Sequence, residues 1–145
     1  MNEELLKFFL AEATKFKVGK DKEELFDLGG GVVNITPTFE EETEDVTYYI
    51  GGKETYVTGL NYQIDIEGHR LYSDETQNFV REKLVKVSDR DCYLEITEPD
   101  GRILSGPATV LNIVPFGGEA GQRQQFNFSI KFKGTPTDTP KETTP

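Results

Sequence analysis

Residues 57–67, which read VTGLNYQIDIE, constrain the fold of this chain more than any other stretch. From Leu60 to Glu67, apolar and polar residues alternate without exception. Successive side chains of a β-strand point to opposite faces of the sheet, so the alternation predicts a strand with one dry face and one wet face. The dry face would carry Leu60, Tyr62, Ile64 and Ile66. The wet face would carry Asn61, Gln63, Asp65 and Glu67.

Two further stretches follow the same pattern. In residues 31–39 the dry positions are Val33, Ile35, Pro37 and Phe39, and the wet positions are Val32, Asn34, Thr36 and Thr38. In residues 122–133 the dry positions are Phe126, Phe128, Ile130 and Phe132, and the wet positions are Gln125, Asn127, Ser129 and Lys131. Long strands of this kind can share one sheet with a heavy apolar inner face. We expect the rest of the chain to cover, connect or extend that sheet.

Shorter strands are predicted on either side of these three. Residues 14–19 alternate up to Gly19, and residues 91–97 and 102–114 are typical of two more strands. Pro99, Asp100 and Gly101 predict the turn between the last two. The glycine triplet at 29–31 precedes a strand and lacks the Lys-Ser/Thr ending of a phosphate loop, so it indicates a hinge or bulge.

One helix is predicted, starting at Ser73 or Asp74. Its apolar residues at helical spacing, expected to dock on the sheet, are Phe79, Val80, Leu84 and Val87. A second, short helix from Asn2 to Phe8 or Phe9 is the alternative to an N-terminal arm that orders only on a neighbour. Residues 1–134 are expected to form a single domain, and residues 135–145, which lack core-forming side chains, an extended or disordered tail.

Residues 40–52 separate the first long strand from the second. Five of the six residues at 40–45 are acidic. Because like charges repel one another and resist packing, we expect a long loop that protrudes into water or meets a basic partner. The alternating aspartates and the glycine of a calcium loop are missing, which favours a solvated charge run.

Composition narrows the chemistry. One histidine and one cysteine do not make a zinc or copper site, so no metal or other cofactor is expected. Cys92 alternates with Leu94 and Ile96, which predicts a buried thiol, and His69 lies between Gly68 and Arg70 without a nucleophile motif. Among 26 acidic residues, a carboxylate pair of the glycosidase type is neither supported nor excluded. The sequence favours a protein that is not an enzyme.

The net charge of −10 argues against a chain that grips a phosphate backbone. No stretch approaches the roughly 20 apolar residues of a membrane span. Residues 5–10 are short, contain Lys7 and follow two acids, so no secretion signal is expected there and folding should occur in a cytoplasm.

From about Val18 to Pro136 the chain resembles the tail tube, or major tail, proteins of long-tailed bacteriophages. The resemblance is carried by the order and spacing of short landmarks. They are IDIEGHR at 64–70, SDETQN at 73–78, PDG at 99–101, GPA at 106–108, GGEA at 117–120, the strand at 126–132, Gly134 and Pro136. The sequence departs from the family in lacking a tryptophan in the region 46–50.

The resemblance implies a mainly β fold, a β-sandwich with one flanking helix. Six subunits would form a ring in which their inner sheets close one continuous β-barrel, and rings would stack into a hollow tube. The tube is the conduit for double-stranded DNA ejection and is occupied earlier by a tape measure protein; tail terminator and distal tail proteins would meet its ends. The implied location is the virion, after assembly in the host cytoplasm.

Two sets of residues follow for such a tube. The lumen-facing set would be Asn34, Thr36, Asn61, Gln63, Asp65, Glu67, Asn127 and Ser129. An inter-subunit arm would carry Glu40, Glu41, Glu42, Glu44 and Asp45, and its basic partner on another copy would be Lys15, Lys17, Lys20 and Lys22. Alternatives are the inner tube of a contractile particle, such as a bacteriocin or secretion-system needle, and a monomeric β-barrel that binds a small ligand.

Overall fold

The computed structural model describes Phe8 and residues 10–140. The helix predicted from Asn2 therefore lies outside the described residues, apart from Phe8, which is in no helix. The described residues form a 3-10 turn at Ala11–Ala13, one helix, α1 (Glu75–Arg81), and eight strands. The strands are β1 (Lys15–Asp21), β2 (Glu24–Leu28), β3 (Val32–Tyr48), β4 (Gly52–His69), β5 (Asp91–Thr97), β6 (Ile103–Val114), β7 (Gln125–Phe132) and β8 (Thr137–Thr139).

All the strand pairs are antiparallel, and they form one path in the order β2-β1-β5-β6-β7-β4-β3, with β8 attached to β6. β6 joins the two halves of this path. Its residues 103–109 pair with β5, and its residues 108–114 pair with β7. The path does not close on itself, so β2 and β3 are its two ends.

One face of the sheet forms the core. Towards the β2 end of the sheet, Val18 of β1 lies opposite Leu94 of β5. Towards the β3 end, Ile130 of β7 lies opposite both Val110 of β6 and Ile64 of β4. These five residues are at most 1% exposed and belong to one apolar cluster, so the sheet curves over a shared core. The prediction of a mainly β fold with one flanking helix is confirmed.

The alternation fails at the start of β3. Val33 was predicted on the dry face and Val32 on the wet face, but Val32 packs against the core and Val33 is 70% exposed. The physical reason is a β-bulge, which inserts one extra residue between Val32, opposite Gly68, and Asn34, opposite Glu67. From Asn34 onward the predicted faces are those observed.

Helix α1 begins as predicted, because the Asp74 carboxylate accepts a hydrogen bond of 2.9 Å from the backbone N–H of Gln77. Val80 is fully buried, and Phe79 and Leu84 pack against the core. Val87 is 90% exposed, so its predicted docking is wrong. The helix ends at Arg81 and the chain continues in turns, which carries Val87 away from the apolar stripe.

The acidic stretch is not a loop. β3 and β4 stay paired from Glu40, opposite Asn61, to Tyr48, opposite Gly52, and only residues 49–51 turn. Residues 40–52 therefore protrude as a two-stranded hairpin, and the predicted long loop is wrong. Pairing is compatible with the charges because successive carboxylates point to opposite faces of the strand, which separates neighbours that a coil would crowd. Gly51 and Gly52 supply the positive φ angles of 103° and 77° at the turn.

Part of the predicted tail is ordered. Thr137–Thr139 forms β8 beside Ile103–Ser105 of β6. The Arg102 guanidinium donates two hydrogen bonds, of 2.8 and 3.1 Å, to the Asp138 carboxylate. Residues 141–145 lie outside the described residues, and the domain boundary at 134 stays a prediction.

Gln77 links the helix to the loops beneath it. It is 1% exposed, and its side-chain amide donates to the carbonyl oxygens of Gly30 and His69 and accepts from the backbone N–H of Leu71. Gly31 has a φ of 76°, and a Cβ there would come within 2.5 Å of the His69 carbonyl oxygen. Gly30 and Gly31 are thus closely packed, whereas a Cβ at Gly29 would meet open space.

Candidate lumen surface and hairpin arm

The eight residues predicted to face a lumen lie on one face of three neighbouring strands, β3, β4 and β7. The register aligns Asn34 with Glu67 and Asn127, and it aligns Thr36 with Asp65 and Ser129. Gln63 lies opposite Thr38 and Lys131, and Asn61 opposite Glu40. We call this surface, turned away from the core, the polar face; it consists of Asn34, Thr36, Thr38, Glu40, Asn61, Gln63, Asp65, Glu67, Asn127, Ser129 and Lys131.

Hydrogen bonds tie the centre of the polar face together. The Asp65 carboxylate accepts from the Ser129 hydroxyl at 2.6 Å and from the Gln63 amide at 2.9 Å. Both bonds favour the ionised form, and the Ser129 bond in particular holds the pKa of Asp65 below its ordinary value of 3.8. The face therefore keeps a fixed negative charge at neutral pH.

Ser129 differs from expectation, because it is only 6% exposed. Asp65 and the neighbouring strands cover it, so its hydroxyl supports the face instead of forming its surface. Lys131, predicted on the wet side of its strand, lies opposite Gln63 on this face. It is the one lysine or arginine of the polar face, and it lies at one end.

The acidic residues of the hairpin are divided between its two faces. Glu40, Glu42 and Glu44 continue the polar face, whereas Glu41 and Asp45 lie on the opposite side. The Asn61 amide donates to the Glu42 carboxylate at 3.2 Å.

Asp45 is the acidic residue of the hairpin that has a basic neighbour in the same arm. It accepts from the Thr55 hydroxyl at 2.6 Å and pairs with the Lys53 ammonium at 3.3 Å. The hydrogen bond from Thr55, and then that from Lys53, lowers the pKa of Asp45.

Aromatic residues at the hairpin tip were missed by the sequence reasoning. The Tyr48 and Tyr56 hydroxyls lie 3.0 Å apart, and the Tyr56 hydroxyl donates to the Glu54 carboxylate at 2.6 Å. These bonds, the one to Glu54 first, raise the pKa of Tyr56 to about 12. Tyr49 and Ile50, at the turn itself, are fully exposed or nearly so.

The predicted basic partner lies far from the hairpin along the sheet. Lys15, Lys17 and Lys20 are exposed on β1, and Lys22 is exposed in the turn that follows. β1 is next to the β2 end of the path, whereas β3 forms the other end. Along the sheet, three strands, β5, β6 and β7, separate the lysines on β1 from the hairpin of β3 and β4.

Cys92 is buried as predicted, and burial raises the pKa of its thiol to about 12. No described residues form a group of three or more histidine, cysteine, aspartate or glutamate side chains placed to hold a metal ion. In the same part of the chain, no helix is long and apolar enough to cross a membrane.

Comparison with solved structures identifies the fold. A chain from the tail of an empty gene transfer agent particle, computed with helical refinement and C6 symmetry, superposes with a TM-score of 0.68. The two share 18% sequence identity over 92% of this chain and all of the other. This chain has the fold of a tail-particle protein. A chain from the virion of a native gene transfer agent particle matches with the same TM-score, identity and coverage. No protein-family model and no curated protein matches the sequence.

Proposed function

We propose that this chain is a non-enzymatic structural subunit of a phage-like tail tube, which self-assembles into stacked hexameric rings within a virion. The fold supports a tail protein, since the chain it matches along its full length belongs to a tail with C6 symmetry. The landmarks from Ile64 to Pro136 support the same family independently.

The open sheet provides a physical reason for association. β2 and β3 end the strand path, and among the described residues each has no strand partner on one side for its backbone N–H and C=O groups. Free edges of this kind invite pairing with another chain. In a ring, the β2 edge of one copy would contact the β3 edge of the next. Such a contact joins two different surfaces and is therefore heterologous, and it produces a closed ring when the rotation between copies divides a full turn. Six copies would then form one continuous barrel.

The polar face is the single observation that carries the assignment of a DNA conduit. Its side chains are neutral or acidic apart from Lys131, and Asp65 is held ionised. Binding to DNA comes mainly from lysine and arginine that replace counterions on phosphates. A lumen lined by this face would offer passing double-stranded DNA almost no fixed positive charge, so the DNA would slide. A tape measure protein would occupy the same space earlier, and terminator and distal tail proteins would cap the tube.

The hairpin would be the arm between copies. Glu40, Glu42 and Glu44 lie at one end of the strand path, and the lysines of β1 lie near the other. Opposite charges on different strands of one subunit suit contact between copies and oppose the reverse orientation. A single exposed pair contributes only about 0–1 kcal/mol, but the contact would be repeated around every ring.

Negative-stain electron microscopy of the purified chain tests the proposal. As the concentration rises, we expect rings and then hollow tubes with sixfold end views. Sedimentation velocity on the same samples should show loss of the monomer. A chain that stays strictly monomeric at millimolar concentration would contradict the tube assignment, although not the fold.

A further inference from the structure

An apolar surface continues from the core along the hairpin. On the core side of β3 and β4, Ile35 lies opposite Ile66, and Phe39 lies opposite Tyr62. Ile66 is 1% exposed, whereas Phe39 is 52% exposed. Farther out on the same side, Val57 is 57% exposed. The apolar side of the hairpin thus extends beyond the buried core, and its outer side chains are exposed.

A groove opens where this surface leaves the core. It has a volume of about 520 Å³ and is lined on one side by five residues of β3, which are Val32, Val33, Asn34, Ile35 and Pro37. On the other side it is lined by Ala11, Glu12, Thr14, Lys15, Phe16, Leu28 and Gly29. We call the groove and the adjoining side chains of Phe39, Leu60, Tyr62 and Val57 the hairpin groove. Phe39 and Tyr62 are in contact within it, with their ring centroids 4.6 Å apart and their planes tilted by 41°.

The chain that enters the groove at Ala11 is itself strongly apolar. Residues 5–10 read LLKFFL, so five of these six side chains are large and apolar. Two of them are described, and Phe8 is 94% exposed and Leu10 73% exposed. The groove is largely apolar, with Glu12, Thr14, Lys15 and Asn34 as its polar lining residues. An apolar run and the apolar part of such a groove would both lower their free energy by excluding water from each other.

We propose that residues 5–10 dock into the hairpin groove of their own chain. The lengths agree, because six extended residues span about 20 Å, the same distance as the six residues of β3 from Thr38 to Thr43, opposite Val57. The docking site is within reach of the tether at Ala11, so the local concentration of the segment is in the millimolar range or higher. A neighbouring copy would have to compete with that concentration.

This inference does not rest on assembly into a tube. It predicts that the docked segment covers Lys7, the one trypsin site within residues 5–10. Cleavage after Lys7 then requires the segment to open first. Limited trypsin digestion of the full chain, kept dilute enough to be monomeric and analysed by mass spectrometry, measures the rate of that cleavage.

Replacing Phe39 by serine removes an exposed ring from the groove without touching the buried core. We expect Phe39→Ser to accelerate cleavage after Lys7 by about tenfold or more. Leu6→Ser changes the segment instead of the groove, and it should have the same effect. Val87→Ser is the matched control, since Val87 is exposed and lies away from the groove. Its cleavage rate should equal that of the unmodified chain, and circular dichroism should show all three variants folded.

Two results would overturn the proposal. The first is a rate of cleavage after Lys7 that is the same in the unmodified, Phe39→Ser and Leu6→Ser chains. The second is protection that appears only at concentrations where copies associate, because it would assign the groove to the segment of a neighbour.

Discussion

At the scale of single residues, Asp65 shows how the polar face fixes its charge. The Ser129 hydroxyl lies beneath it and donates a hydrogen bond of 2.6 Å. Since the folded pKa lies below the ordinary value of 3.8, this bond stabilises the fold above about pH 4. The contribution is lost as the pH falls through the folded pKa, when the carboxylate takes up a proton.

Ser129→Ala should therefore raise the pKa of Asp65 toward 3.8. The side-chain carboxyl resonance of Asp65, followed by ¹³C NMR between about pH 2 and 7, measures the change. Thr38→Ala, a change on the same face that leaves both hydrogen bonds to Asp65 intact, serves as the control. A pKa that does not move in Ser129→Ala would show that the charge is set by something other than this bond.

The sequence predicted some of these single-residue features and missed others. The alternation put Asp65 and Glu67 on the wet face because period-2 patterns depend only on strand geometry. Alternation did not predict that Ser129 is covered, since burial depends on which strand lies alongside. Gln77 has the spacing of a capping box with Asp74, but its amide bonds Gly30 and His69 instead, partners that only the folded chain brings near.

At the scale of elements, α1 gives a direct comparison of two valines with the same sequence signal. Val80 lies within the helix and is fully buried, whereas Val87 lies beyond the end of the helix. We expect Val80→Ala to lower the free energy of unfolding by about 2 kcal/mol, because two buried methyl groups are lost and a cavity is left. Val87→Ala should change it by less than about 0.5 kcal/mol.

Urea denaturation of both variants measures these differences. Equal losses for Val80→Ala and Val87→Ala would mean that the chain continues as a helix past Arg81. The sequence could not locate this end, because no glycine or proline follows Arg81 to mark it and the apolar spacing continues.

The hairpin is the element whose charge should matter between copies and not within one. Converting Glu40, Glu42 and Glu44 to glutamine keeps their size and their strand positions. We expect the chain to fold with an unchanged melting temperature and to form fewer or shorter tubes. The reason is that acids on the polar side of the arm would no longer meet lysines of another copy.

Electron microscopy and sedimentation compare this triple variant with a second one in which Glu12, Glu98 and Glu119 become glutamine. The control has the same net charge but changes exposed sites outside the hairpin. Tubes of normal length in the hairpin variant would end the proposal that the arm joins copies. The sequence did not predict the strand at 40–48, because adjacent acidic residues were expected to repel one another and resist packing. In a strand that repulsion is weaker, since neighbouring side chains point to opposite faces of the sheet.

At the scale of the whole molecule, the sign of the polar face can be reversed. Asp65→Lys combined with Glu67→Lys should leave tubes able to form and should slow DNA ejection, because phosphates would meet a ring of positive charge. Asp65→Asn with Glu67→Gln is the control that removes charge without reversing it. Ejection can be timed by dye binding to released DNA from particles built with each variant.

Loss of folding in the lysine variant would show that this face packs against other parts of the chain. Unchanged ejection from intact tubes would show that the face does not line the path of the DNA. Melting curves of the isolated chains separate the first outcome from the second.

The position of β6 bears on how the molecule comes apart. Its first half pairs with β5 and β8, and its second half pairs with β7, so the β5 side and the β7 side of the path cannot separate without breaking hydrogen bonds of β6. The two halves of the path should therefore open together instead of one by one, as a single cooperative unit. Amide protons of Ala108 and Val110, central in this strand, should exchange with solvent only when the whole chain unfolds. We therefore expect a chain pulled apart across β6 to yield in one step.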